Sequence, residues 1–217
     1  MADGAVLYFH GSSSERDTGP STDIDLAGIN LIRHVRPGYD NSPPRPQANL
    51  QDVAAAAIEE ATPVAKIVLM GWSGGGPYAL AGGSLGHPAV RGVALLGSWA
   101  PMDPPHRGLP VGVQLFIRLA RLAPRPVLRS SLAAVGLRNP GHVDDIQRVA
   151  KPWGFTVEDV GARVPVAAWH SEQDPEVPIG PWEHTTGIDL HHRPGADHNP
   201  TGDTWQAALS WARALIQ

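Results

Sequence analysis

The chain has 217 residues, 42% of them hydrophobic and 18% charged, with a formal net charge of −4 at pH 7, which suits one domain with a sizeable core. It contains no cysteine, which excludes disulfides, thiol nucleophiles and thiolate metal sites and leaves serine, threonine or a carboxylate for covalent chemistry. The acidic balance argues against nucleic-acid binding, no apolar run reaches the length of a membrane span, and no basic stretch leads into an apolar core at the N-terminus, so a cytoplasmic protein is expected.

Taken in chain order, Ala5 to Phe9 is a short apolar run ending in His10-Gly11, and Gly28 to His34 is another leading to Arg36-Pro37-Gly38-Tyr39-Asp40; both read as buried strands. Residues 48–61 combine good helix formers with apolar spacing and predict a helix, followed by a strand at Lys66 to Met70. Further strands are predicted at Val90 to Leu96, Val164 to Trp169 and Ile188 to His191, and an amphipathic helix over Thr204 to Ile216. This alternation predicts an α/β fold, a doubly wound, mostly parallel sheet of about six strands with helices on both faces. Ligand sites in such sheets lie beyond the carboxyl ends of the strands, and His10, Ser73, Trp99, Asp174 and His198 all follow predicted strands.

The alternation breaks from Pro101 to about Val160, a proline- and arginine-rich stretch with an amphipathic helix predicted over Val111 to Ala123. We expect a single domain over 1–217 with a small helical cap inserted at about 101–160. Six arginines and no acidic residue lie between Pro104 and Arg138. They form either a solvated face whose stems cover apolar cap surface or a dock for an anionic substrate or an acidic carrier protein.

The densest signal is Gly71-Trp72-Ser73-Gly74-Gly75, placed between an apolar strand and a helix-compatible Pro77-Tyr78-Ala79-Leu80-Ala81. It has the form of a nucleophile elbow, in which a strained serine is raised at the strand end and glycines two before and two after it keep strand and helix apart. Serine needs a base to become nucleophilic, and the base needs an orienting acid. Asp174, in Asp174-Pro175-Glu176-Val177-Pro178, and His198, in Gly195-Ala196-Asp197-His198, supply them downstream.

Across essentially its full length the chain resembles the α/β-hydrolase fold family. The resemblance rests on His10-Gly11, Arg36 to Asp40, the Gly-Trp-Ser-Gly-Gly elbow, the Asp174 to Pro178 pattern, the His198 loop and the order Ser73, Asp174, His198. The first strand begins about five residues in, so the family's leading hairpin is expected to be missing, leaving six strands. The resemblance implies a catalytic triad of Ser73, Asp174 and His198, with the backbone N–H groups of Ser12 and Gly74 as oxyanion hole. Asp174 is preferred as the acid over Asp103, which sits among prolines, and over its neighbours Glu172 and Glu176. The implied activity is hydrolysis of a carboxylic ester or thioester of a small-molecule acyl substrate through an acyl-enzyme, without a cofactor or metal. An acyl carrier protein at the arginine-rich cap is the thioester variant.

His10 is read as holding the oxyanion loop. His191-His192 with Asp197-His198 is read against metal binding, since adjacent strand residues face opposite ways. Trp72 is read as packing beside the nucleophile, and Trp99, Leu115 and Phe116 as lining an apolar acyl pocket. Two other classes stay open, a non-hydrolytic lyase, cyclase or acyltransferase on the same scaffold and a slowly turning ligand receptor, because one fold hosts many chemistries.

Overall fold

A computed structural model of the chain describes residues 4–12, 19, 20, 24, 26, 28–101, 109–134, 136–195 and 197–217. Among these residues, β1 (Gly4–Phe9), β2 (Asn30–His34), β3 (Lys66–Trp72), β4 (Val90–Leu96), β5 (Val166–Ser171) and β6 (Asp189–Arg193) form one sheet in the order β2-β1-β3-β4-β5-β6. Every neighbouring pair is parallel, so all carboxyl ends lie along one edge. The sheet is thus wholly parallel, where the sequence pointed to a mostly parallel one.

The inner strands are apolar at nearly every position because both faces of the sheet are covered. Leu7, Phe9, Ile67, Leu69, Val93, Leu95 and Ala168 pack on one face with residues of α1 (Leu50–Ala61) and α2 (Gly76–Ser84). The alternate residues Val6, Tyr8, Val68, Met70, Ala94, Leu96 and Trp169 meet Trp205, Ala208, Leu209, Ala212 and Ile216 of α8 (Gly202–Ile216) on the other.

Local chemistry moves several boundaries. α1 starts at Leu50 because Asn49 caps it, in a reciprocal capping box with Asp52. β2 starts at Asn30, after Gly28 turns the chain at φ +78°. β3 runs on to Trp72, so the sharp turn falls on Ser73 itself.

Between β4 and β5 lie α3 (Val111–Leu122), α4 (Arg125–Ala134), α5 (Pro140–Val149) and α6 (Val157–Gly161). Ala120, Leu128, Leu132 and Val143 of α3 to α5 form a small cluster separate from those on the sheet. A short α7 (Gly180–Glu183) precedes β6. No helix among the described residues is long and apolar enough to cross a membrane.

The crossing from β3 to α2 leaves no room for side chains. A Cβ on Gly71 would lie 2.5 Å from Gly76 Cα, and one on Gly75 would collide with the carbonyl oxygen of Phe9 at the end of β1. These obstacles are backbone, which cannot yield without disturbing the pairing of β1 with β3. Gly75→Ala is therefore expected to destabilise the protein by about 1–3 kcal/mol, read as a lower urea midpoint with unchanged slope. An unaltered midpoint would mean the helix has room to move away.

Candidate active site

Trp72 leaves β3 in an extended conformation and Ser73 turns sharply at φ +50°, a left-handed value rare outside glycine. The chain then passes through a short turn over Ser73–Gly75 into α2. Ser73 Oγ thereby stands at the carboxyl edge of the sheet, 2.9 Å from His198 Nε2. His198, beyond β6 and 5% exposed, has its Nδ1 2.8 Å from Asp174 Oδ2. In the tautomer this arrangement selects, Nδ1–H donates to the carboxylate and Nε2 accepts from the serine hydroxyl.

Asp174 follows β5, and its carboxylate is held on both oxygens. Oδ1 accepts the backbone N–H groups of Glu176 and Val177, each at 2.8 Å, while Oδ2 takes the histidine. Burial alone would raise its pKa, but the His198 hydrogen bond and the two amides outweigh burial and hold it below the ordinary carboxylate value. His170 steadies the same loop, with Nε2–H donating to Val177 O at 2.8 Å. Of the alternative acids, Glu176 Oε2 lies 3.8 Å from His198 Nε2 rather than on Nδ1, and Glu172 faces His192 at 3.7 Å. Asp103 lies outside the described residues.

Ser12 and Gly74 are brought side by side. A Cβ on Gly74 would collide with Ser12 Oγ and lie 3.3 Å from Ser12 N. Gly11 is pressed against the Trp72 ring, where a Cβ would come within 2.9 Å, and the same indole lies 5.9 Å, centroid to centroid, from the His198 ring.

His10 bonds backbone groups through both ring nitrogens. Its Nδ1–H donates to Gly11 O at 2.8 Å and its Nε2 accepts the Arg36 backbone N–H at 3.2 Å. Burial, reinforced by the Arg36 charge, lowers its pKa to about 3, so the ring is neutral. His191 stacks on Trp169 with centroids 4.7 Å apart, while its neighbour His192 approaches Glu172, so the two imidazoles do not converge. Trp99 is half-buried beyond β4. Leu115 and Phe116 lie on α3, 55% and 48% exposed, among a run of exposed apolar residues that includes Leu119 and Leu122.

Several contributors to the site escaped the sequence reading. Gly97, at φ +48°, lets β4 end against Asp174 and His198, since a Cβ there would lie 3.2 Å from His198 O and 3.5 Å from Asp174 Oδ2. Arg36, His142 and Asp145 surround the Ser12 loop from elements remote in sequence. Arg36 was visible only as part of the Arg36 to Asp40 stretch, and the one signal from α5 was an Asp144-Asp145 pair inside an otherwise amphipathic helix.

A parallel doubly wound sheet with a strained serine after β3 and His198 after the last strand defines the α/β-hydrolase fold, and the chain has that fold. No family model matches it, and no curated protein matches it. Solved structures do. An α/β-hydrolase fold protein from Nakamurella multipartita is similar at 19% identity and a TM-score of 0.65, over 99% of this chain and 94% of that one. A thermophilic esterase from Thermogutta terrifontis is similar at 18% identity and a TM-score of 0.65, over 99% and 90%. The RedJ thioesterase of the prodiginine biosynthetic pathway in Streptomyces coelicolor is similar at 17% identity and a TM-score of 0.58, over 99% and 84%.

Below neutral pH the buried histidines and Asp174 make stability depend on pH in one direction. Unfolded, His10 takes a proton near 6.5; folded, it does so only near 3, so the unfolded state binds more protons between those values and stability falls as pH drops through them. His142 and His170, also lowered chiefly by burial, act in the same sense. Asp174 supports folding above its unfolded pKa and loses that contribution as pH falls through its lower folded value. The urea midpoint is expected to decline steadily from pH 7 to pH 4, with a shallower decline in His10→Asn; a flat profile over that range would contradict burial of neutral imidazoles.

Proposed function

We propose that the protein is a serine hydrolase that cleaves a carboxylic ester or thioester through an acyl-enzyme on Ser73. The observation that carries this reading is the continuous line from Asp174 through His198 to Ser73, ending on a serine held at φ +50°. His198 Nε2 takes the Ser73 proton as Oγ attacks the acyl carbonyl, forming a tetrahedral intermediate. Asp174 fixes the imidazole tautomer and stabilises the imidazolium, which then protonates the departing alcohol or thiol. Water, deprotonated by the same histidine, releases the acid and restores the serine.

The amides of Ser12 and Gly74 are the proposed oxyanion donors, and loss of one such donor typically costs about 3–4 kcal/mol of barrier reduction. In this reading segment 101–160 acts as a cap, and Trp99 contacts the acyl group. Leu115 and Phe116, half-exposed on α3, are proposed to line the acyl pocket with it. That an esterase and a thioesterase share the fold is in keeping with the reaction class.

A thioester carried by an acidic acyl carrier protein is the variant favoured by the acid-free stretch bearing Arg118 and Arg121 beside exposed Leu119 and Leu122. Arg118→Ala with Arg121→Ala is expected to impair turnover of carrier-bound acyl groups and to spare small esters. Equal rates on both substrates would remove the carrier from the reading.

A fluorophosphonate is expected to give one adduct by intact mass, absent in Ser73→Ala and strongly slowed in His198→Ala. In p-nitrophenyl ester hydrolysis, Asp174→Asn is expected to lower kcat by about 10⁴-fold with little effect on labelling sites. No adduct on the parent chain, or a Ser73→Ala variant that keeps full turnover, would overturn the acyl-enzyme reading in favour of non-hydrolytic chemistry or a receptor.

A further inference from the structure

A charged cluster lies buried beside the site, and the line from Ser73 to Asp174 makes no use of it. Arg36 and Tyr39 come from the loop after β2, Tyr78 from α2, and Asp145 and Arg148 from α5; none is more than 6% exposed. Buried ionised groups are costly unless paired and hydrogen-bonded, and here the Asp145 carboxylate is fully engaged. Its Oδ2 accepts from Arg36 Nη1, from the Tyr39 hydroxyl at 2.6 Å and from the Ser12 hydroxyl at 3.4 Å. Its Oδ1 accepts from the Tyr78 hydroxyl, with Arg148 Nη1 3.6 Å away. Burial and the Asp145 charge raise the pKa of both tyrosines, so each keeps its proton and donates it.

The cluster ends on the two segments that carry the proposed oxyanion amides. Ser12 is held twice from α5, through its hydroxyl by Asp145 and through its carbonyl by His142 Nε2–H. Gly74 is held through its carbonyl, which accepts Arg36 Nη1 at 3.3 Å. α5 is seated in turn by close backbone approach. Gly141 N donates to Gly38 O at 3.2 Å, and a Cβ on Gly38 would lie 2.8 Å from Gly141 Cα. A Cβ on Gly141 would collide with the Tyr39 ring. Apolar packing could fill this interior, but it would not fix the direction of two peptide segments.

Resting on the reading of Ser73 as an acylated nucleophile, we propose that Asp145, acting with Arg36 and His142, is the positioning residue of the oxyanion hole: it locks the Ser12 loop to the Gly74 turn so that both amides point at one oxygen. Asp145 touches no reacting atom. Its effect belongs to the transition state, where preorganised donors matter, and it leaves ground-state binding largely alone.

The test uses the full chain with p-nitrophenyl butyrate, each rate divided by the number of sites titrated with fluorophosphonate. Asp145→Asn is expected to lower kcat by about 10²-fold with KM within about threefold, and to weaken inhibition by phenylboronic acid, which forms a tetrahedral adduct, in parallel. His142→Ala leaves the buried ion pair intact and is expected to lower kcat by about tenfold, with His142→Gln, which keeps an N–H donor, restoring most of it. Ser12→Ala is expected to add little in the Asp145→Asn background, since the two act as one unit.

Should Asp145→Asn not fold, the His142 variants decide the matter, together with Ser12→Ala in the parental chain, which is expected to lower kcat by about tenfold. Folded variants with parental kcat per titrated site and a lowered Tm would overturn the proposal and leave Ser73 as nucleophile. A parental protein that neither hydrolyses the ester nor takes up the probe would overturn the Ser73 reading, and this proposal with it.

Discussion

The left-handed turn at Ser73 is the constraint from which the rest of the site follows. A non-glycine residue in that conformation costs about 1–3 kcal/mol and persists only where its surroundings overdetermine it. Here they do so by contact. Phe9 O presses on Gly75, Gly76 backbone lies against Gly71, and Ser98 fills the space beside Gly76. The ends of β1, β3 and β4 and the start of α2 thus converge on a region without side chains, and the serine is the residue left pointing out of it. A larger residue at any of these glycines would relax the turn or part the strands.

An all-parallel sheet then delivers the other groups with little further structure. Its carboxyl ends share one edge, so the loops after β5 and β6 bring Asp174 and His198 to Ser73 although they lie 24 and 125 residues from their partners in the line. Precision comes from local bonding on each loop. Two backbone amides fix the Asp174 carboxylate, His170 ties down Val177, and Ser171 Oγ bonds Gly195 O, joining the Asp174 loop to the His198 loop. Gly97 lets the end of β4 lie flat beneath the pair. The acid stays ionised because its hydrogen bonds favour the charged form more strongly than burial disfavours it.

Legibility in the sequence followed the range of the physics. The elbow could be read because its requirement, glycines two residues either side of a serine after an apolar strand, is local. The four inner strands could be read because a strand covered on both faces is apolar at nearly every position. Element ends were misplaced where a cap or turn decided them, as at Asn49 and Gly28. The Asp145 cluster was illegible because its bonds span 109 residues to Arg36, 133 to Ser12 and 67 to Tyr78, and no periodicity encodes such pairings. Helical spacing on α3 showed two faces without showing which met water, and the structure leaves Leu115, Leu119 and Leu122 facing outward while Ala120 packs inward.

The segment between β4 and β5 is consequently not uniform. α3 and α4 contribute Ala120, Leu128 and Leu132 to a small cluster of their own, whose packing any apolar residues of similar volume would satisfy. α5 belongs to both sides. Val143 faces that cluster, whereas His142, Asp145 and Arg148 reach into the sheet domain, to Ser12, Arg36, Tyr78 and the carbonyls of Arg45 and Ala48. Removing one partner from a buried, hydrogen-bonded charge pair typically costs about 3–5 kcal/mol, against less than about 1.5 kcal/mol for a volume-conserving apolar exchange. Volume-conserving exchange is therefore cheap among the apolar residues that α3 and α4 give to that cluster, and loss of a partner is expensive on the inward face of α5, so the geometry around Ser12 and Gly74 is insulated from apolar change in the first two helices.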